Sequence, residues 1–126
     1  MSVSAVSAVL YAKDQAKVAA FYRDTLGLPR TTSEADHTIL ACGGFDLVIH
    51  QTPRPIVDTV TITAPPKRRD GGAIRLNFTV NSVAAARQIA ASLGGQVDDT
   101  PPAWAPGGAK LRLGHDPEGN VFLVNE

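Results

Sequence analysis

The 126-residue chain has a single cysteine, few aromatic residues (6%) and no excess of either charge, its twelve basic side chains matching twelve acidic ones. Each scarcity excludes something. One thiol, Cys42, rules out an intramolecular disulfide framework and suits a reducing compartment. In the strand-like run TILAC it reads as a small buried hydrophobe. Without a stripe of positive charge the chain lacks the footprint of a nucleic-acid-binding protein. Its basic cluster, Lys67-Arg68-Arg69, is closed by Asp70-Gly71-Gly72 and reads as a solvated loop tip. No apolar run approaches the roughly 20 residues that span a bilayer, and MSVSAV lacks the charged start and long apolar stretch of a signal peptide. The expectation is a soluble, cytoplasmic protein with neither nucleic acid nor membrane as a partner. An apolar content of 44% is enough to give a chain of this length one compact core.

What is present is said nearly twice. Residues 6–27, VSAVLYAKDQAKVAAFYRDTLG, and residues 74–94, IRLNFTVNSVAAARQIAASLG, each read as an alternating strand, a polar break, a helix of about three turns and then Leu-Gly. In the first copy Val6, Ala8 and Leu10 share one strand face, and Ser7, Val9 and Tyr11 share the other. Asp14 caps a helix whose stripe is Val18, Phe21, Tyr22 and Leu26, and Gly27 ends it. Short strands are expected over 30–34, 38–42 and 46–50, with Gly43-Gly44 as the turn joining the last two. In the second copy Ile74, Leu76, Phe78 and Val80 form an apolar face opposite Arg75, Asn77 and Thr79. Asn81 or Ser82 caps a helix that buries Val83, Ala86, Ile89, Ala90 and Leu93, and strands follow over 96–98, 110–114 and 121–125. Asp116-Pro117-Glu118-Gly119-Asn120 reads as a tight turn. The connector, residues 52–72, holds the alternating piece Val60-Thr61-Ile62-Thr63 and is an edge strand, a lid or an arm to a second subunit. The fold class is thus α+β: one domain over 1–126, built of two paired βαβββ units, about 1–51 and 73–126. Together they form a half-open, cup-shaped sheet around one pocket.

AFYRDTLGL (20–28) after Asp14, the paired units and the terminal GHDPEGNVFLVNE (114–126) together resemble the vicinal oxygen chelate superfamily. Its members include glyoxalase I, extradiol dioxygenases, fosfomycin-resistance thiol transferases and bleomycin-resistance proteins. In metal-using members the resemblance implies four ligand positions, which fall here at Ser7, Val48, Arg75 and Leu123. None is a usual ligand of a divalent ion, two are aliphatic, and Arg75 would place a fixed positive charge where the ion belongs. No metal and no other cofactor is therefore expected. A displaced set of His50, His115 and Glu126 has suitable chemistry but no supporting spacing.

By the two-residue period of a strand, the pocket wall carries Ser7, Val9, Tyr11, Asp46 and His50, then Arg75, Asn77, Thr79 and Asn125. Arg75 either grips a ligand carboxylate or phosphate through its planar fork, or forms an internal ion pair with Asp46 or Glu126. His50 is the candidate general base, or else a rim histidine bonded to backbone or water. Tyr11 donates its hydroxyl to a ligand or only lines the wall. Trp104, in the loop TPPAWAPGG, covers a ligand or packs at a subunit interface. His115 is expected to be structural or exposed.

The leading reading is a metal-free small-molecule-binding protein, forming a homodimer, with Ser7, Tyr11, His50, Arg75, Asn77 and Trp104 around an anionic or polar-aromatic ligand. The competing reading is an enzyme, a lyase, isomerase or dioxygenase-like protein, using His50 and Arg75 or a non-standard metal site. A third is a module whose pocket is filled by its own side chains.

Overall fold

The computed structural model describes residues 2–126, which divide into two compact units, one up to Thr61 and one from Ile62. Each unit repeats one plan. The first runs β1 (Ser7–Ala12), α1 (Gln15–Leu26), β2 (Arg30–Ser33), β3 (His37–Cys42) and β4 (Phe45–Gln51), followed by a helical turn, α2 (Arg54–Val57). The second runs β5 (Asn77–Thr79), α3 (Val83–Ser92), β6 (Gln96–Val97), β7 (Leu111–His115) and β8 (Val121–Asn125). The sheets have the equivalent orders β1-β4-β3-β2 and β5-β8-β7-β6. In each, the outer first strand lies parallel to the last, and the rest are antiparallel. Both sheets are open and mixed, and neither closes into a barrel, so the α+β reading and the duplication hold.

Local chemistry places the elements. The Asp14 side chain accepts from the Lys17 amide at the start of α1, and Gly27, at φ 70°, ends the helix in the left-handed region. Ser82, rather than Asn81, caps α3 through the Ala85 amide. Val18, Ala19, Phe21 and Tyr22 of α1 are buried, as are Ala12, Leu40, Leu47 and Ile49, and α1 contacts β1, β3 and β4. Each large side chain so buried contributes about 1.5–3 kcal/mol, and this layer is the core of the first unit. Phe78, Val83, Ala86, Ala90, Val97, Phe122 and Val124 form the core of the second.

Several expectations fail at the junction. Residues 60–63 form no strand, and the connector is instead helical over Arg54–Val57. β5 starts only at Asn77, leaving Ile74 85% exposed rather than on an apolar face. By the register that pairs Asn77 with Leu123, Ile74 falls opposite Asn120, inside the turn, where no strand remains to pair. Ile89 is also exposed, because the short α3 buries only the Val83–Ala86–Ala90 line.

Nor is Arg68 a solvated loop-tip residue. Its Nε donates to His115 Nδ1 at 2.6 Å, and its Nη1 and Nη2 grip the two carboxylate oxygens of Asp98, Nη1 at 3.0 Å. The Arg69 amide donates to the Gly119 carbonyl at 2.9 Å, and a Cβ on Gly119 would collide with the Lys67 carbonyl. The end of the connector is therefore laid against the 116–120 turn. Within that turn the fully buried Asp116 carboxylate accepts from the Glu118 and Asn120 amides, at 2.8 and 3.1 Å, and from the Asn120 side chain.

Two predictions follow from these contacts. Asp116→Ala strands buried donors and should cost about 2–4 kcal/mol in urea unfolding, whereas a surface control such as Asp99→Ala should cost under about 0.5. For His115, burial and then the adjacent Arg68 charge hold the imidazole below its ordinary value of 6.5. In the interval below 6.5 the unfolded chain binds a proton that the native chain refuses, so stability should be full above that pH and decline beneath it. Burial pushes the Asp98 carboxyl up, but hydrogen bonds from Arg68 and Gln96 and the Arg68 charge outweigh it and hold it low. Its contribution is present above an unfolded value of about 3.9 and is lost only as pH falls through the lower native value. Urea unfolding of His115→Gln from pH 7 to 3 should flatten the upper limb and keep the lower one.

Candidate functional site

The face of the first sheet turned away from α1 is where chemistry gathers. Three rows cross it in register: Ser7–Asp46–Ala41, Val9–Val48–Ile39 and Tyr11–His50–His37. The middle row is aliphatic. The last row brings three rings together, with Tyr11 and His50 centroids 5.6 Å apart and tilted by 57°. His50 and His37 are 5.9 Å apart and nearly parallel, at 7°. Val9 and Tyr11 are 51% and 53% exposed although β1 pairs along its whole length with β4.

The register of this row is fixed by the β3–β4 hairpin. Gly43 and Gly44 both have positive φ, 54° and 87°, the type I′ geometry of a two-residue loop. Cys42 then pairs with Phe45, and five steps outward His37 pairs with His50. The Gln51 amide donates to the Asp36 carbonyl at 2.7 Å, which makes His37 and His50 a non-hydrogen-bonded pair, the type that holds opposed side chains closest.

Hydrogen bonding sets the tautomers. His50 Nδ1 lies 2.9 Å from the Gln51 carbonyl oxygen, which can only accept, so Nδ1 carries the proton and the neutral ring keeps its lone pair on Nε2. His37 Nδ1 is 2.7 Å from Asp36 Oδ1, and that hydrogen bond, set against some desolvation, holds the Asp36 carboxyl below the usual range. Asp36 is therefore an ionised acceptor at neutral pH. Its other oxygen, Oδ2, is 3.8 Å from His50 Nε2.

The structure thus unites Tyr11 and His50, and puts Ser7 on the same face two rows away. Arg75, Asn77 and Trp104 belong to the second unit. Within the second unit Arg75 Nη2 donates to the Asp70 carbonyl at 3.3 Å rather than pairing with Glu126. Asn77 Oδ1 accepts from Asn125 Nδ2 at 2.7 Å, and Thr79 donates to Asn125 Oδ1 at 3.0 Å, forming a polar line across β5 and β8. Trp104 is 63% exposed. His115 and Glu126, of the displaced metal set, are engaged elsewhere: His115 by Arg68, Glu126 by the Val83 amide and Lys110. Cys42 is half-buried rather than buried, and desolvation pushes its thiol up.

Asp36 and His37 escaped the sequence reading, which began the strand at residue 38. Counting outward symmetrically from Gly43-Gly44 would have found His37 opposite His50. On the helix side of the sheet there is also a shallow groove of about 80 Å³ lined by Ala16, Ala19, Ala20, Arg23 and Arg30. It is well below the roughly 300 Å³ of a ligand pocket.

The four family metal positions fail a chemical test. Val48 sits in the aliphatic row between Val9 and Ile39, Leu123 pairs with Asn77 and Leu113, Arg75 is cationic, and Ser7 offers only a hydroxyl. That donor set does not fit a divalent ion.

Comparison with known proteins agrees with this architecture. A family model described as a glyoxalase-like domain matches residues 7–125. A glyoxalase-related enzyme from Fulvimarina pelagi is similar at TM-score 0.68 and 23% identity, over 98% of this chain and 87% of that one. A glyoxalase/bleomycin resistance protein/dioxygenase family enzyme from Burkholderia phytofirmans PsJN follows at 0.67 and 17%, over 94% of each chain. The fosfomycin resistance protein FosX from Listeria monocytogenes reaches 0.62 at 15% identity, over 98% and 89%. No curated protein sequence matches the chain. At these identities the neighbours establish the fold, and the family match, running from β1 to β8, makes the chain a member of the glyoxalase-like domain family.

Proposed function

We propose that this protein binds a small polar-aromatic molecule on the open face of its first sheet. The observation that carries the reading is the in-register arrangement of the ring row Tyr11–His50–His37 beside the aliphatic row Val9–Val48–Ile39. A planar ligand laid there covers apolar surface that the unit itself leaves open, and offset or edge contacts with Tyr11 add about 0.5–1.5 kcal/mol. His50 Nε2 accepts a ligand hydroxyl or N–H. Structural neighbours named for glyoxalase and for fosfomycin resistance are compatible with binding or catalysis, so the residues must decide.

A second reading, catalysis, is favoured by one feature. The Gln51 carbonyl fixes His50 in the tautomer whose Nε2 can take a proton, as a general base requires.

Saturation-transfer NMR with a panel of hydroxyaromatic and heteroaromatic acids tests the proposal. Binders should perturb Tyr11, His37 and His50 resonances, and Tyr11→Ala should weaken them about tenfold, equivalent to about 1.4 kcal/mol. Perturbations mapping away from this face, or unchanged affinity in Tyr11→Ala, would overturn it. Under catalysis, His50→Ala lowers turnover by far more than it weakens panel binding.

A further inference from the structure

Asp36, His37 and His50 do more than border a ligand face. One donor atom from each lies within 4.8 Å of the others, the only such group of three among the described residues. We propose that these three side chains bind a late first-row divalent cation, Zn²⁺ foremost, at the end of β3 and β4. This is a place the family's own ligand positions do not occupy.

Three independent features support it. First, the backbone preforms the chelate: His37 and His50 face each other as a non-hydrogen-bonded cross-strand pair, and the type I′ turn fixes their register. Second, the donors are of the right kind. Imidazole nitrogen with a carboxylate oxygen suits Zn²⁺, Ni²⁺ or Cu²⁺, and three protein ligands leave a fourth position open. Third, the spacing is close to that of a loaded site. Two donors each about 2.1 Å from a tetrahedral ion stand roughly 3.4 Å apart. His50 Nε2 and Asp36 Oδ2 are already 3.8 Å apart, and these partly exposed side chains can close the remainder by rotation about their χ angles. The His50 Nδ1–H···O=C bond to Gln51 is the outer hydrogen bond that orients a ligating histidine. A cation taken up at His37 Nδ1 requires the proton now shared with Asp36 to move to Nε2 of the same ring, which stays neutral.

The site extends the binding reading without depending on it. With both imidazoles neutral and Asp36 ionised, the cluster carries one negative charge; a divalent ion makes it one positive. An anionic oxygen on a ligand then has a partner beside Tyr11, in the first unit itself. His50 Nε2, once coordinated, no longer serves as a base.

The test uses the full chain without a histidine tag, stripped with chelator and dialysed against Zn²⁺. Metal content by elemental analysis should reach one ion per chain, with a raised Tm and zinc-dependent shifts in the His37 and His50 ring resonances. Titration of Co²⁺ should produce the visible absorption of a tetrahedral site. His37→Ala and His50→Ala should each weaken Zn²⁺ at least about tenfold, and Asp36→Asn by less, since one nitrogen pair survives. His115→Gln should leave affinity unchanged. Circular dichroism checks folding, and His37→Gln provides a second, more conservative variant. Substoichiometric metal, or affinity that is unaltered in the His37 and His50 variants, overturns the site. Failure of the aromatic panel would leave the zinc result standing, so the two proposals fail separately.

Discussion

The pairing of β3 with β4 is the constraint on which the rest of the first unit depends. A two-residue loop with both residues at positive φ admits one register, and Gly43-Gly44 supply the conformations without the cost a side chain would impose. A slip of one residue would turn every side chain on the moved strand to the other face. Leu40 would leave the core, and the facing of His37 with His50 would vanish. The hydrophobic pattern and the turn therefore specify the same alignment, and the ring row is its by-product. The parallel pairing of β1 with β4 then adds Tyr11 to that row, because Tyr11 falls opposite His50.

The second unit shows what the same plan does with different side chains. Over β5 and β8 it places Asn77, Thr79 and Asn125 in one hydrogen-bonded group, while Leu123 and Leu113 lie in register with Asn77. Arg68, which the chain brings from the connector, meets Asp98 and His115. Arg68 satisfies a half-buried carboxylate, and burial together with its charge lowers the His115 pKa, so that histidine is occupied with holding the connector in place. A histidine committed to an arginine has no lone pair to offer a ligand, and this separates His115 from His50 despite their similar places near strand ends.

Much of the architecture was legible because it is written in periodic signals. Alternation in 6–11, the Asp14 cap, the Gly27 stop and the Asp-Pro-Glu-Gly-Asn turn are local, and each acts within a few residues. What escaped was long-range. Nothing near Lys67-Arg68-Arg69 signals that Arg68 meets Asp98 thirty residues on. Ile74 looked like a strand residue by alternation, but its fate depends on where β8 begins, a fact held 46 residues away in the Asn120 turn. The candidate site was half legible. His50 could be placed on its face by counting, whereas Asp36 and His37 needed the hairpin register to be propagated outward, and the strand had been started one residue late.

The location of the cluster also constrains how the proposed ligand would lie. In metal-using members of the superfamily the position at Val48 contributes a ligand; here that spot belongs to the aliphatic row with Val9 and Ile39. Two residues further along β4, about 7 Å at strand rise, His50 opens the polar row. The face is thus aliphatic at the strand centre and carries its imidazoles at the strand end. Seven ångströms is about the length of one aromatic ring with a substituent. A molecule that sets its ring over Val9, Val48 and Ile39 therefore brings an oxygen to Tyr11, His50 and His37. A ligand built the other way, polar at the centre, would bury its hydrogen-bonding groups against three aliphatic side chains, with the several-kilocalorie penalty that unpaired polar groups carry. The aliphatic row at the family's metal position thus sets the orientation that the proposed ligand would take toward the strand-end imidazoles.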